Sequence, residues 1–198
     1  MALAIVVALG IGAVLNSGDD SPARTKQGPA TVDPNSTGSG EAAPDFDLAR
    51  LNGPGRVKLS QYRGRPVVLN FWASWCIPCK EEFPRLKALV AAPSSKAADL
   101  AVIGITYRDI PEDARSFAKD QGATWTLAKG GDGDPVARAY GIRAVPQLYF
   151  IDRDGVIRKR IFGGPSADVI DQAIAEISAP SKPARSGASS TSTSTVAK

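Results

Sequence analysis

The stretch Phe71-Trp72-Ala73-Ser74-Trp75-Cys76-Ile77-Pro78-Cys79-Lys80 decides the fold, because it holds both cysteines of the chain and follows directly on the apolar run Val67-Val68-Leu69. Two thiols separated by two residues, after a buried strand and at the start of an amphipathic segment, close a small ring when oxidised. When reduced, they leave the first thiol at a helix N-terminus. There the unpaired N–H groups and the helix dipole favour a thiolate, pulling the Cys76 pKa below the roughly 8.5 of a free thiol. Only the thiolate attacks disulfides, so Cys76 is the expected nucleophile and Cys79, about one turn in, the more shielded thiol that resolves a mixed disulfide. Pro78 lacks an N–H, which costs nothing in a first helical turn, and it stiffens the ring. Trp72 and Trp75 are expected to form an aromatic, partly dry rim. Zinc takes four ligands, and with no His and no further Cys the chain does not supply them; no metal and no cofactor is expected. A purely structural disulfide is disfavoured because so short a loop removes little entropy from the unfolded chain.

The block over 67–84, VVLNFWASWCIPCKEEFP, resembles the active-site segment of extracytoplasmic thioredoxin-like proteins of the TlpA/DsbE group, which includes reductants used in cytochrome c maturation. Two further blocks resemble the same group in the same order: IGITYRDIPEDARSFAKDQG over 103–122 and YGIRAVPQLYFIDRDGVIRKRIFG over 140–163. The Tyr-basic-Asp turn of the second block is similar to that of the cytochrome c maturation branch. The resemblance covers about residues 41–178 and implies an α/β thioredoxin-like fold, a central mixed sheet flanked by helices, here with an N-terminal β-hairpin added.

Outside that region the chain changes character. Ala2 to Leu15 is continuous apolar or Gly sequence, shorter than the roughly 20 residues a helical span needs and without a basic flank before it. Residues 1–16 are read as a signal or anchor segment. Residues 17–41, rich in Ser, Gly, Pro and Thr with Val32 as their one large aliphatic residue, cannot bury enough to repay ordering the backbone and form a linker. The tail over 179–198 contains SGASSTSTSTV and reads as low-complexity. This leaves 42–178 as one domain of ordinary size. The net charge of +4 is partly carried by the tail, and the basic residues of the domain are scattered among acids, so nucleic-acid binding is not indicated.

Within the domain, Asp45-Phe46-Asp47-Leu48 and Arg56-Val57-Lys58-Leu59 alternate polar and apolar residues around Asn52-Gly53-Pro54-Gly55, the pattern of a hairpin. Strands are expected over 66–71, 100–105, 147–151 and 156–161, the last two joined by Asp152-Arg153-Asp154-Gly155. Helices are expected over 80–90, with Phe83, Leu86, Leu89 and Val90 inward and Pro84 bending it, over 111–121, from Pro135 to Tyr140, and over 166–177. This is an α/β order.

The remaining site residues come from the resemblance. Pro146, directly before the strand over 147–151, could by itself simply begin that strand. The resemblance implies more, since in thioredoxin-like folds the proline at this position is cis and lies beside the dithiol, with the preceding residue, here Val145, offering backbone groups to an extended substrate. Asn70 stands where thioredoxins carry a buried Asp, a departure that leaves the acid-base partner open. Asp109 and Glu112, after the next strand, are the candidates for that role, each of which could equally be a plain turn or first-turn residue. A buried carboxylate near the thiols would have a raised pKa and could accept the proton of Cys79.

The expected activity is thiol-disulfide exchange, with partners that are protein dithiols and disulfides, apocytochrome c among them on the strength of the branch. An extracytoplasmic, membrane-tethered reductant also needs a membrane electron donor, because the compartment favours the disulfide. Two other classes stay open: a two-cysteine peroxidase of related fold, which would show Pro-x-x-x-Thr/Ser-x-x before its cysteine where aromatics stand here, and a non-catalytic module with an inert disulfide.

Overall fold

The computed structural model describes residues 40–91, 99–131 and 133–180. The segment read as anchor, and nearly all of the linker and of the low-complexity tail, lie outside the described residues. Two short strands come first, β1 (Asp47–Ala49) and β2 (Arg56–Lys58), then a 3-10 turn over Leu59–Tyr62. β3 (Val67–Trp72), α1 (Ile77–Ala91), β4 (Ala101–Thr106), α2 (Pro111–Asp120), β5 (Thr126–Ala128) and α3 (Pro135–Ala139) follow. β6 (Gln147–Ile151), β7 (Ile157–Phe162) and α4 (Ala167–Ser178) complete the order. Among the described residues no helix is long and apolar enough to cross a membrane.

β3 to β7 form one five-stranded sheet in the order β5-β4-β3-β6-β7, parallel between β3, β4 and β5 and antiparallel from β3 to β6 and β6 to β7. The apolar runs put β3, β4 and β6 at its centre, where every residue of these strands is buried. A strand covered on both faces reads as a continuous hydrophobic run, which is how Val67-Val68-Leu69 and Val102-Ile103 appear in the sequence.

Alternation along β3 divides the core in two. Val68 and Trp72 face α1, α2 and α4 through Phe83, Leu86, Ala114, Ala118 and Ile174. Val67, Leu69 and Phe71 face the opposite way, onto Leu48, Val57, Ala137 and Tyr140. α1 runs through Pro84. The Asp152–Gly155 turn closes with Gly155 at φ 78° and with Asp152 Oδ1 accepting from the N–H groups of Asp154 and Val156.

The expected hairpin is present, with Leu48 opposite Val57, and it seals the β5 edge of the sheet. Leu51 N–H donates to Leu127 at 2.8 Å and Lys129 N–H to Ala49 at 2.9 Å. The segment before it bonds at the other edge, where Ile157 N–H reaches Glu41 at 2.9 Å. The hairpin thereby covers the β5 edge and the 41–42 segment covers the start of β7, which shortens the template for edge-to-edge pairing. β5 itself is a strand the sequence reading did not contain.

Candidate active site

β3 ends at Trp72 and α1 begins at Ile77, so Cys76 sits on the first residue before the helix, with its carbonyl accepting Lys80 N–H at 3.3 Å. Cys76 and Cys79 are joined as a disulfide, and Cys79 N–H points at Cys76 Sγ at 3.2 Å. That bond is a helix-terminal N–H aimed at the sulfur, the contact that favours a thiolate once the disulfide opens. Cys79 is fully buried and Cys76 is 3% exposed. Pro78 occupies the first turn at the surface.

Val145–Pro146 is cis. Gln147 pairs with Phe71, so Pro146 enters the sheet beside the C-terminal end of β3, next to the segment that carries the thiols. Val145 packs against the cluster that contains Cys76 and Cys79. Pro146 O accepts Gly163 N–H at 3.1 Å, and Gln147 Nε2 donates to Ala144 O at 2.7 Å, which ties down the loop on both sides.

The turn after β4 holds the approach to Cys76. Ser74 donates to Asp109 twice, from its N–H at 2.6 Å and its hydroxyl at 2.7 Å. Arg108 adopts φ 48°, the left-handed region rarely taken by residues with a side chain, and its carbonyl receives Trp75 Nε1–H at 3.1 Å. Asp109 thus spends both carboxylate oxygens on Ser74. Glu112, in the first turn of α2, is exposed and pairs with Arg115 at 2.5 Å. Neither is a buried carboxylate beside Cys79.

Trp72 is not at the rim. It is fully buried, stacked on Phe117 with ring centroids 5.5 Å apart and edge-on to Phe83 at 4.9 Å, because its place two residues beyond Asn70 directs it into the core under α1. Gly104 makes room for its indole, since a Cβ there would come within 2.9 Å of Trp72 Nε1. Trp75, 57% exposed, is the aromatic at the surface.

The buried carboxylate is Glu82, which the sequence reading passed over. It is fully buried, and its Oε2 accepts a 2.9 Å bond from Asn70 Nδ2. Burial pushes its pKa up from 4.5 to about 7, against smaller opposing effects of the Asn70 bond and the Arg85 charge. Three residues after Cys79 on one helix, it is a neighbour on the same face. The signal was there: Cys79, Phe83 and Leu86 mark the buried stripe of α1, and Glu82 falls inside it. Among the described residues no group of three or more His, Cys, Asp or Glu could hold a metal ion.

The chain is similar to known proteins in sequence and in fold. Residues 39–160 fit the family model described as the AhpC/TSA family. The thiol-disulfide oxidoreductase ResA of Geobacillus thermodenitrificans is 32% identical over 138 residues, 70% of this chain and 77% of the relative. The thiol:disulfide interchange protein HelX of Rhodobacter capsulatus is 31% identical over 137 residues, 69% and 74% of the two chains. Among solved structures, that of a thiol:disulfide interchange protein DsbE from Chlorobium tepidum superposes with a TM-score of 0.64 at 32% identity, covering 71% of this chain and 97% of the other.

Proposed function

We propose, from the premise that this chain belongs to the AhpC/TSA family and is a thiol-disulfide oxidoreductase of the TlpA/DsbE type, that it reduces protein disulfides outside the cytoplasm, those of apocytochrome c among them. The observation that carries the chemistry is the Cys76–Cys79 disulfide at the α1 N-terminus, with cis-Pro146 beside it and Glu82 buried one turn below.

In the forward direction the Cys76 thiolate attacks one sulfur of the substrate disulfide. The other leaves as a thiolate, and a mixed disulfide joins Cys76 to the substrate. Glu82 then takes the proton of Cys79, whose thiolate attacks Cys76 Sγ. The Cys76–Cys79 bond forms and the substrate departs with two thiols after protonation. Pro146 and Val145 supply the backbone platform on which an extended substrate segment lies, and Trp75 and Pro78 border it. Asp109 holds Ser74 and therefore the approach to Cys76; Glu112 has no part in this scheme, and Trp72 supports the thiols from beneath.

Return to the dithiol needs an electron donor, which for an extracytoplasmic protein is a membrane thiol-disulfide carrier. An N-terminal anchor and linker would keep the domain near that donor at raised effective concentration. The aromatic residues before Cys76 favour exchange over peroxide reduction. The test is twofold. Reduced protein should open the disulfide of oxidised apocytochrome c, and fractionated native cells should release the protein from membranes with detergent and not with salt. Recovery in the cytosol with the N-terminus intact would refute the localisation and the apocytochrome role while leaving dithiol chemistry in place.

A further inference from the structure

The Asn70–Glu82 pair has an unfilled half. Asn70 Nδ2 donates to Glu82 Oε2 at 2.9 Å, while Asn70 Oδ1 and Glu82 Oε1 are both buried without a hydrogen-bond partner. Both residues are fully buried, so each of these acceptors carries the cost of lost hydration. Both are oxygens and neither carries a proton when Glu82 is charged. An amide and a carboxylic acid, however, can pair through two bonds, amide N–H to one carboxyl oxygen and carboxyl O–H to the amide oxygen. One proton on Glu82 Oε1 would therefore answer both unpartnered atoms at once.

We propose that Asn70 is a positioning residue for Cys79, holding Glu82 by Oε2 so that Oε1 receives the Cys79 proton, and then accepting that proton's hydrogen bond through Oδ1 in the oxidised protein. This rests on the reading of Glu82 as the base in the resolving step. The proton balance is closed: Cys79 S–H loses its proton to Glu82 Oε1, the Cys79 thiolate displaces the substrate thiolate from Cys76, the substrate thiolate takes a proton from solvent, and Glu82 gives its proton back to Cys79 when the donor regenerates the dithiol. Asparagine suits the position because it offers a donor and an acceptor and does not compete for the proton, as an aspartate would.

The surroundings leave this pair in control. Asn70 lies between Gly104 of β4 and Leu148 of β6, neither of which can titrate. β3 itself adds Val68 and Trp72 on that face, α2 adds Ala114 and Ala118, and α4 adds Ile170 and Ile174, none of them charged. On α1 the charge that acts on Glu82 is that of Arg85, three residues further on.

The test uses the reduced full chain and 5,5′-dithiobis(2-nitrobenzoate), which releases one coloured thiolate when Cys76 attacks and a second when Cys79 resolves. Asn70→Leu, of similar volume, should leave the first phase within about twofold and slow the second about tenfold at pH 7, the size of one hydrogen bond to a charged group. Asn70→Ala should behave alike, which keeps the test open if the Leu variant does not fold. The infrared difference between oxidised and reduced protein should show a protonated carboxyl band that Glu82→Gln abolishes and Asn70→Leu moves toward the position of an unbonded acid. Equal slowing of both phases would mean a structural role and overturn the proposal, as would an unchanged second phase or an unmoved band. A second phase untouched by Glu82→Gln would instead remove the base and the proposal with it. No release of thiolate by the unsubstituted protein would defeat the dithiol reading itself.

Discussion

Replacing Cys79 with Ser removes the thiol that resolves the mixed disulfide, so Cys79→Ser should accumulate a substrate adduct through Cys76 while Cys76→Ser accumulates none. A non-reducing gel reads the difference, and equal trapping by both variants would refute the division of roles. Glu82 gives a second residue-level expectation. Burial raises it from 4.5 to about 7, so between those values the folded protein keeps a proton that the unfolded chain has released. Stability should therefore fall as pH rises from about 4.5 through about 7 and level off above, by about 3 kcal/mol in all. Glu82→Gln should flatten that fall in denaturant midpoints measured at pH 5 and pH 8; an unchanged slope would mean that another group is responsible. Residues were unevenly legible in the sequence. The cysteines stood out because few other residues can do their work, whereas the cis state of Pro146 was legible only through the family resemblance, since a proline there could also simply open β6. Glu82 did not, because Lys80-Glu81-Glu82 looks like a solvated helix face until the buried stripe through Cys79, Phe83 and Leu86 is drawn across it. Trp72 was misplaced for a similar reason, since the parity of β3 that puts Val68 inward also puts Trp72 inward.

At the scale of elements, the turn between β4 and α2 acts as a brace for the loop ahead of α1. Its carboxylate is committed to Ser74 through bonds of 2.6 and 2.7 Å. Asp109→Ala should then cost about 1–3 kcal/mol of stability and leave the pH midpoint of the resolving step where it was, in contrast to Glu82→Gln. A displaced pH midpoint in Asp109→Ala would return Asp109 to acid-base work. Strands and helices were readable where burial on both faces or a helical stripe left a long signature, as in β3, β4, β6 and α4. β5 left none. Thr126, Leu127 and Ala128 are too few to show a period, and the strand exists because β4 offers it a parallel partner and the Leu51 and Lys129 amides fasten it to the hairpin. Pairing decided that segment, and pairing is not written locally.

For the whole molecule, residues 42–178 are proposed as the folded oxidoreductase, preceded by an apolar N-terminal stretch and flanked on both sides by polar sequence with few groups to bury. A chain trimmed to residues 41–179 should unfold cooperatively with a midpoint temperature close to that of the full chain. Cutting further, past Glu41 and Ala42, should lower it, because their backbone pairs beside Val156 and Ile157. A large loss already at the first trimming, read by calorimetry, would show that a flanking segment packs on the domain. The central claim is that one dithiol, Cys76 with Cys79, performs disulfide reduction. Its most direct measurement is the reduction of insulin disulfides in dithiothreitol, followed by turbidity for the unsubstituted protein and for Cys76→Ser. The account predicts catalysed precipitation by the former and only the uncatalysed rate for the latter; equal rates for the two, whether both fast or both at background, would contradict it.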